Sequence, residues 1–123
     1  MFGQELEQRC FAFAGNVRRF CRKLKRDTEN LEDIKQVVRA SGSVGANYIE
    51  ANENLGPGDL IHRIRISRKE AKEAMFFLGL LEVFDKKELQ VEKAGLIEEA
   101  SQLRKIFSAM LLKLIPKKTN PPR

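Results

Sequence analysis

The sequence predicts an all-α protein, an antiparallel up-down-up-down four-helix bundle, on three observations. Apolar residues recur at alternating steps of four and three along long segments, the spacing of a helix face packed in a bundle. Charge is high (33%), Pro is scarce (4), and no long stretch alternates as a half-buried strand does. Short polar breaks at 27–30, 56–59 and 85–88 separate the segments, so consecutive helices should run antiparallel. At 123 residues one domain is expected, with the bundle over 1–115 and a flexible basic tail over 116–123, where Pro116 ends the last helix.

The first helix is expected from Gln4 to about Arg26. Leu6, Cys10, Phe13, Val17, Phe20 and Leu24 form its apolar seam. Arg18, Arg22 and Lys25 fall on the opposite side, flanked by Arg19, Lys23 and Arg26. Six of the ten residues from Val17 to Arg26 are therefore basic and none is acidic. Two readings stand: a solvated face whose cations suit the helix C-terminal dipole, or a patch that contacts phosphate. Cys10 and Cys21 would sit about 16 Å apart along this helix, too far for a mutual disulfide, and read as reduced core thiols.

Asn30 is the expected N-cap of the second helix, which runs to about Asn54. Ile34, Val38, Ser41, Gly45 and Tyr48 make its seam, widened by Val37, Val44 and Ala51. Ser43, Asn47 and Glu50 stand at i, i+4 and i+7 and form a polar stripe. The second half is rich in small residues, among them Gly42 and Gly45. Each glycine costs about 1 kcal/mol against alanine in a helix interior. Close approach of another helix would account for that cost; an ordinary weak helix is the alternative.

Pro57 suits the first position of the third helix and Asp59 its first turn. That helix is expected to run to about Asp85, with a core seam of Leu60, Ile64, Ser67, Ala71, Ala74, Leu78 and Leu81. A second apolar stripe, Ile66, Phe77, Leu80 and Phe84, predicts a partner surface and contains Glu70 and Glu73. Arg65, Lys69 and Lys72 form a basic strip, and Lys69 could pair with Glu73 at i, i+4. The fourth helix repeats the seam with Leu96, Ala100, Leu103, Phe107, Met110 and Leu114, and runs to about Ile115.

The chemistry of known sites is missing from this pattern. His62 is the only histidine, so a His-based metal cluster has no ligand set. The glycines at 56 and 58 are not followed by the Gly-Lys-Ser/Thr of a phosphate loop. Glu70-x-x-Glu73 lacks the histidines of a di-iron bundle. The expectation is therefore no enzyme, no metal and no cofactor. Ser43, Asn47, Glu50, Lys69, Glu70 and Glu73 read instead as a polar network that sets register between helices or subunits. The polar N-terminus does not read as a signal peptide. No apolar run approaches the roughly 20 residues that cross a bilayer, so a cytoplasmic protein with no membrane partner is expected.

The central stretch reads Ser43-Val44-Gly45-Ala46-Asn47-Tyr48-Ile49-Glu50-Ala51, then Asp59-Leu60, then Lys69-Glu70-Ala71-Lys72-Glu73. It resembles the pattern Ser-x-Gly-Ala-Asn-x-x-Glu-Ala, Asp-Phe, Lys-Glu-Ala-x-Glu of the bacterial four-helix-bundle family named for proteins encoded in 23S rRNA intervening sequences. Leu60 replaces the usual Phe, and Gly56 stands where a Ser N-cap is usual, which should weaken the cap by a few tenths of a kcal/mol. The resemblance implies a homo-oligomer, since relatives form pentameric rings. The family is also similar to the accessory protein of diversity-generating retroelements, a basic pentamer that binds nucleic acid and a reverse transcriptase. It implies no biochemical activity for the intervening-sequence branch, whose function is unknown.

The net charge of +6 permits contact with nucleic acid. The functional expectation is a non-enzymatic homopentamer that binds RNA or DNA, RNA first, through Arg18, Arg19, Arg22, Lys23, Lys25 and Arg26, with Lys117 and Lys118 of the tail. Apart from Phe11 and Phe76, the patch lacks exposed aromatics for base stacking, so little sequence specificity is expected. The alternatives are an adaptor that docks a protein partner on the ring, and a purely structural assembly.

Overall fold

A computed structural model describes residues 3–116. Four helices follow in order: α1 (Gln4–Cys21), α2 (Thr28–Asn52), α3 (Pro57–Leu80) and α4 (Lys87–Leu114). Each packs on its neighbours in sequence, and α4 closes the bundle against α1. Contact is most extensive between α2 and α3 and sparsest between α1 and α4. The tail lysines Lys117 and Lys118 lie outside the described residues.

The seam of α1 is buried as its spacing predicts, from Leu6 through Leu24. The helix itself stops five residues early. Lys23 and Leu24 donate their amides to Phe20 O and Cys21 O, a tighter i→i+3 turn that keeps Leu24 in the core while redirecting the chain. On α2 the core face is rotated from the expected one. Val37, Ala40, Ser41, Val44, Tyr48 and Ala51 are buried, whereas Ile34 and Val38 are only partly covered. Tyr48 sits 5.8 Å, centroid to centroid, from Phe107 on α4 and accepts a 2.7 Å hydrogen bond from Gly3 N at its hydroxyl. Ser67 donates to Val44 O at 2.9 Å, so a small polar side chain satisfies itself where α2 and α3 meet.

Gly45 explains part of the small-residue run. A β-carbon there would lie 3.1 Å from Cys10 Cβ, so α1 approaches α2 closely at this point. Gly56 departs from the capping expectation for a different reason. Its φ of 134° belongs to a region that only glycine enters freely, so a serine cap there would be strained.

Two loop expectations are corrected. The N-cap of α2 is Asp27, whose carboxylate accepts the Asn30 amide at 2.9 Å. Asn30 is instead a fully buried tie. Its Nδ2 donates to Lys25 O (2.9 Å) and Glu82 O (3.1 Å), and its Oδ1 accepts from Glu82 N (2.9 Å). Secondly, α3 ends at Leu80, not near Asp85. Leu81 is extended and Phe84 turns the chain at φ 55°, a left-handed conformation that costs a residue with a β-carbon about 1–2 kcal/mol. Phe84 therefore belongs to the α3–α4 loop. Of the second stripe, Ile66 is half-buried, Phe77 packs partly against the core, and Leu80 is half exposed.

Candidate nucleic-acid interface

The six cations of the α1 end divide into three groups. Arg18 is committed to the fold: it donates to Ala14 O at 3.0 Å and Val38 O at 3.5 Å, and its guanidinium lies where a β-carbon on Gly42 would come within 3.2 Å. Arg19, Arg22 and Lys23 line a cleft of about 700 Å³ between α1 and α4. Arg19 donates to Asn16 Oδ1 at 2.6 Å, and Lys23 is paired with Glu92 at 2.9 Å. Lys25 and Arg26 sit in the α1–α2 loop, where Lys25 Nζ stands 5.6 Å from the centroid of the Phe84 ring. Among the described residues no carboxylate lies within ion-pair distance of Arg19, Arg22, Lys25 or Arg26.

The cleft has a defined build. Phe13 and Leu96 supply buried wall, Ala12 and Gly95 leave it open, and ion pairs tie α1 to α4 along it. Arg9 forks onto Glu99 through Nε and Nη2, each at 2.8 Å, and also reaches Gln102 Oε1 at 2.9 Å. Arg9 carries no local signal of this role, because a cross-bundle fork depends on which helix faces which.

The expected polar network is split in two. Arg39 on α2 donates to Glu70 at 2.9 Å and to Glu73 at 2.8 Å on α3. Glu70 is 4% exposed, and burial pushes its carboxyl above the usual carboxylate range. The hydrogen bond from Arg39 holds Glu73 below that range. Separately, Asn47 donates to Ser43 O and Oγ, each at 3.0 Å, and accepts from Arg63 at 3.2 Å, while Arg63 Nε lies 3.6 Å from Asp59. Lys69 and Glu50 are exposed and join neither group, and Glu73 pairs with Arg39 in place of Lys69. Arg39 shares a helix face with Ser43 and Asn47, which was the available signal; that it faces Glu70 depends on the packing of α2 on α3.

Burial pushes the Cys10 thiol up to about 12 and that of Cys21 to about 11, so both stay protonated at neutral pH. No group of three metal-ligating side chains occurs among the described residues. His62 is exposed on α3. Among the described residues no helix is long and apolar enough to cross a membrane.

Fold and surface together define a four-helix bundle with a run of cations at the end of α1 and no catalytic constellation among its described residues. The chain belongs to the family of 23S rRNA-intervening sequence proteins, whose model matches residues 4–109. Its fold is similar to the crystal structure of a protein of unknown function from the S23 ribosomal protein family of Bacteroides thetaiotaomicron VPI-5482. The TM-score is 0.76 at 22% identity, over 91% of this chain and 99% of that one. A comparison with curated protein sequences gives no match.

Proposed function

We propose that this protein is a non-enzymatic nucleic-acid-associated protein, RNA-linked and acting in the cytoplasm, and a homo-oligomer, pentameric as its family resemblance implies. The observation that carries the reading is a run of cations, close in sequence, that internal pairing leaves over. Arg19, Arg22, Lys25 and Arg26 lie together at the end of α1 and in the loop that follows, with no ion-pair partner among the described residues. Arginine and lysine presented this way release counterions when they meet phosphate. Each copy in an oligomer brings a further formal +6, so weak contacts add through multivalency.

Titrating the full chain against a labelled structured RNA and a DNA duplex over a salt series, with molar mass by light scattering, tests this. Expected are micromolar or tighter binding, a steep log–log salt slope, and loss on the combined change Arg22→Glu, Lys25→Glu and Arg26→Glu. No binding near about 50 mM salt by an intact oligomer would overturn it and favour a protein adaptor.

A further inference from the structure

We propose that Phe84 is a stacking platform for an unpaired nucleobase, with Lys25 and Lys86 placed for the flanking phosphates; this rests on the nucleic-acid reading above. The residue is 51% exposed although it is large and apolar. Its backbone is left-handed at φ 55°, which a β-carbon disfavours and a glycine would adopt freely. Phe84 thus carries two costs that a glycine at the same turn would not.

The loop holds this conformation firmly. Gln90 Nε2 donates to Phe84 O at 2.9 Å. Asn30 clamps the neighbouring Glu82 through both its amide and its carbonyl. Lys93 Nζ caps the end of α3, donating to Gly79 O at 2.9 Å and Leu81 O at 2.8 Å. Backbone strain that the surroundings over-determine clusters at ligand clamps.

Charge around the ring completes the chemistry. Lys25 and Lys86 line the same shallow cavity as Phe84, with Arg26 and Lys87 next to them in sequence and the acids Asp85 and Glu88 on either side of Lys86 and Lys87. Glu82 lies on the same wall, which disfavours a purely phosphate-directed site and leaves the aromatic face as the recognition element. Lys25 Nζ stands 5.6 Å over the Phe84 ring in the free chain; a single-stranded nucleotide would stack its base in that place while the ammonium turns to a flanking phosphate. A duplex keeps its bases stacked on one another and offers no such group.

The test uses the full chain and three labelled probes: an oligouridylate of about 12 nucleotides, an abasic phosphodiester of equal length, and an RNA duplex. The oligouridylate should bind tightest. Phe84→Ala should weaken it about tenfold, in the range of one lost base–aromatic stack, and leave the abasic probe unchanged. The chain has no tryptophan, so Phe84→Trp supplies a single reporter whose emission the oligouridylate should quench and the abasic probe should not. Equal binding by Phe84→Ala with an unquenched Trp reporter overturns the platform. If the Arg22, Lys25 and Arg26 reversal still abolishes binding in that case, the cationic surface stands alone. A change in molar mass on Phe84→Ala also overturns the platform, by making the ring a contact between copies. Absence of binding to all three probes overturns both readings. Should Phe84→Ala unfold, Phe84→Leu, which keeps apolar bulk without a π-face, decides on the same measurements.

Discussion

Asn30 and Glu82, 52 residues apart, exchange two hydrogen bonds: Asn30 Nδ2 donates to Glu82 O at 3.1 Å, and Glu82 N donates to Asn30 Oδ1 at 2.9 Å. With the further bond to Lys25 O, one fully buried amide joins the α1–α2 loop to the α3–α4 loop. The end of the bundle that carries Lys25 and Phe84 is therefore a single braced unit. A buried side chain with its groups satisfied in this way is costly to lose, because its partners are left without bonds.

Asn30→Ala should lower stability by about 2–3 kcal/mol, since it removes three bonds and strands Glu82 N and two carbonyls. Asn30→Asp should be no better, because a carboxylate accepts from Glu82 N and cannot donate to the two carbonyls. Urea unfolding followed by circular dichroism reads both. A loss under about 0.5 kcal/mol, the scale of an ordinary surface change, would show that the tie is not structural.

The glycines should respond with opposite sign. Gly95→Ala meets nothing within 4 Å and should stabilise by up to about 1 kcal/mol through helix propensity. Gly45→Val should destabilise by about 1–3 kcal/mol, because its β-carbon would press on Cys10 Cβ at 3.1 Å and neither helix backbone can retreat freely. Thermal unfolding of the two variants side by side would contradict this account if Gly45→Val were as stable as the parent.

Arg39→Ala should change the pH dependence of stability. It leaves Glu70 buried without the cation that compensates its charge. The raised carboxyl of Glu70 means that the folded state holds a proton more tightly than the unfolded chain does. That contribution opposes folding at neutral pH and is relieved as pH falls through the folded value toward the ordinary carboxylate range. Glu73 works in the other direction: its lowered value stabilises above the unfolded carboxylate range, is lost as pH falls, and depends on Arg39. Removing Arg39 thus deepens the first effect and abolishes much of the second. The expected loss is about 1–2 kcal/mol at pH 7, discounted because the Arg39 side chain is 51% exposed, and smaller near pH 5. Adding Glu70→Gln should restore much of the loss at pH 7. A loss independent of pH would show that Glu70 is not the group responsible.

Arg18→Met should separate structure from binding. The substitution removes the donors to Ala14 O and Val38 O but keeps an unbranched stem over Gly42. Stability should fall by about 1 kcal/mol. The salt slope for nucleic acid should stay where it is, whereas Arg22→Met should reduce it by up to about one unit. Equal slopes for the two variants would mean that Arg18 is as free as Arg22.

The class of fold and most of the core follow from the order of residues alone. The four-three spacing in α1 places Leu6, Cys10, Phe13, Val17, Phe20 and Leu24 inside because burial of an apolar stripe follows helical period alone. The motif around Ser43–Ala51 carried the family, and the family match over residues 4–109 agrees. Groups whose partners lie on another helix are set by how the helices pack. Asn30 has the composition of a cap and is a buried tie, because Asp27 takes the cap and Glu82 comes within reach only when α3 ends at Leu80. Arg39 finds Glu70 and Glu73 31 and 34 residues away, and Arg9 finds Glu99 at 90. Phe84 continued a helical stripe by spacing, yet the chain leaves the helix before it and presents the ring at the bundle's end. Periodicity reports which face of a helix is apolar; hydrogen bonds and ion pairs between helices also require their relative position, which no local pattern contains.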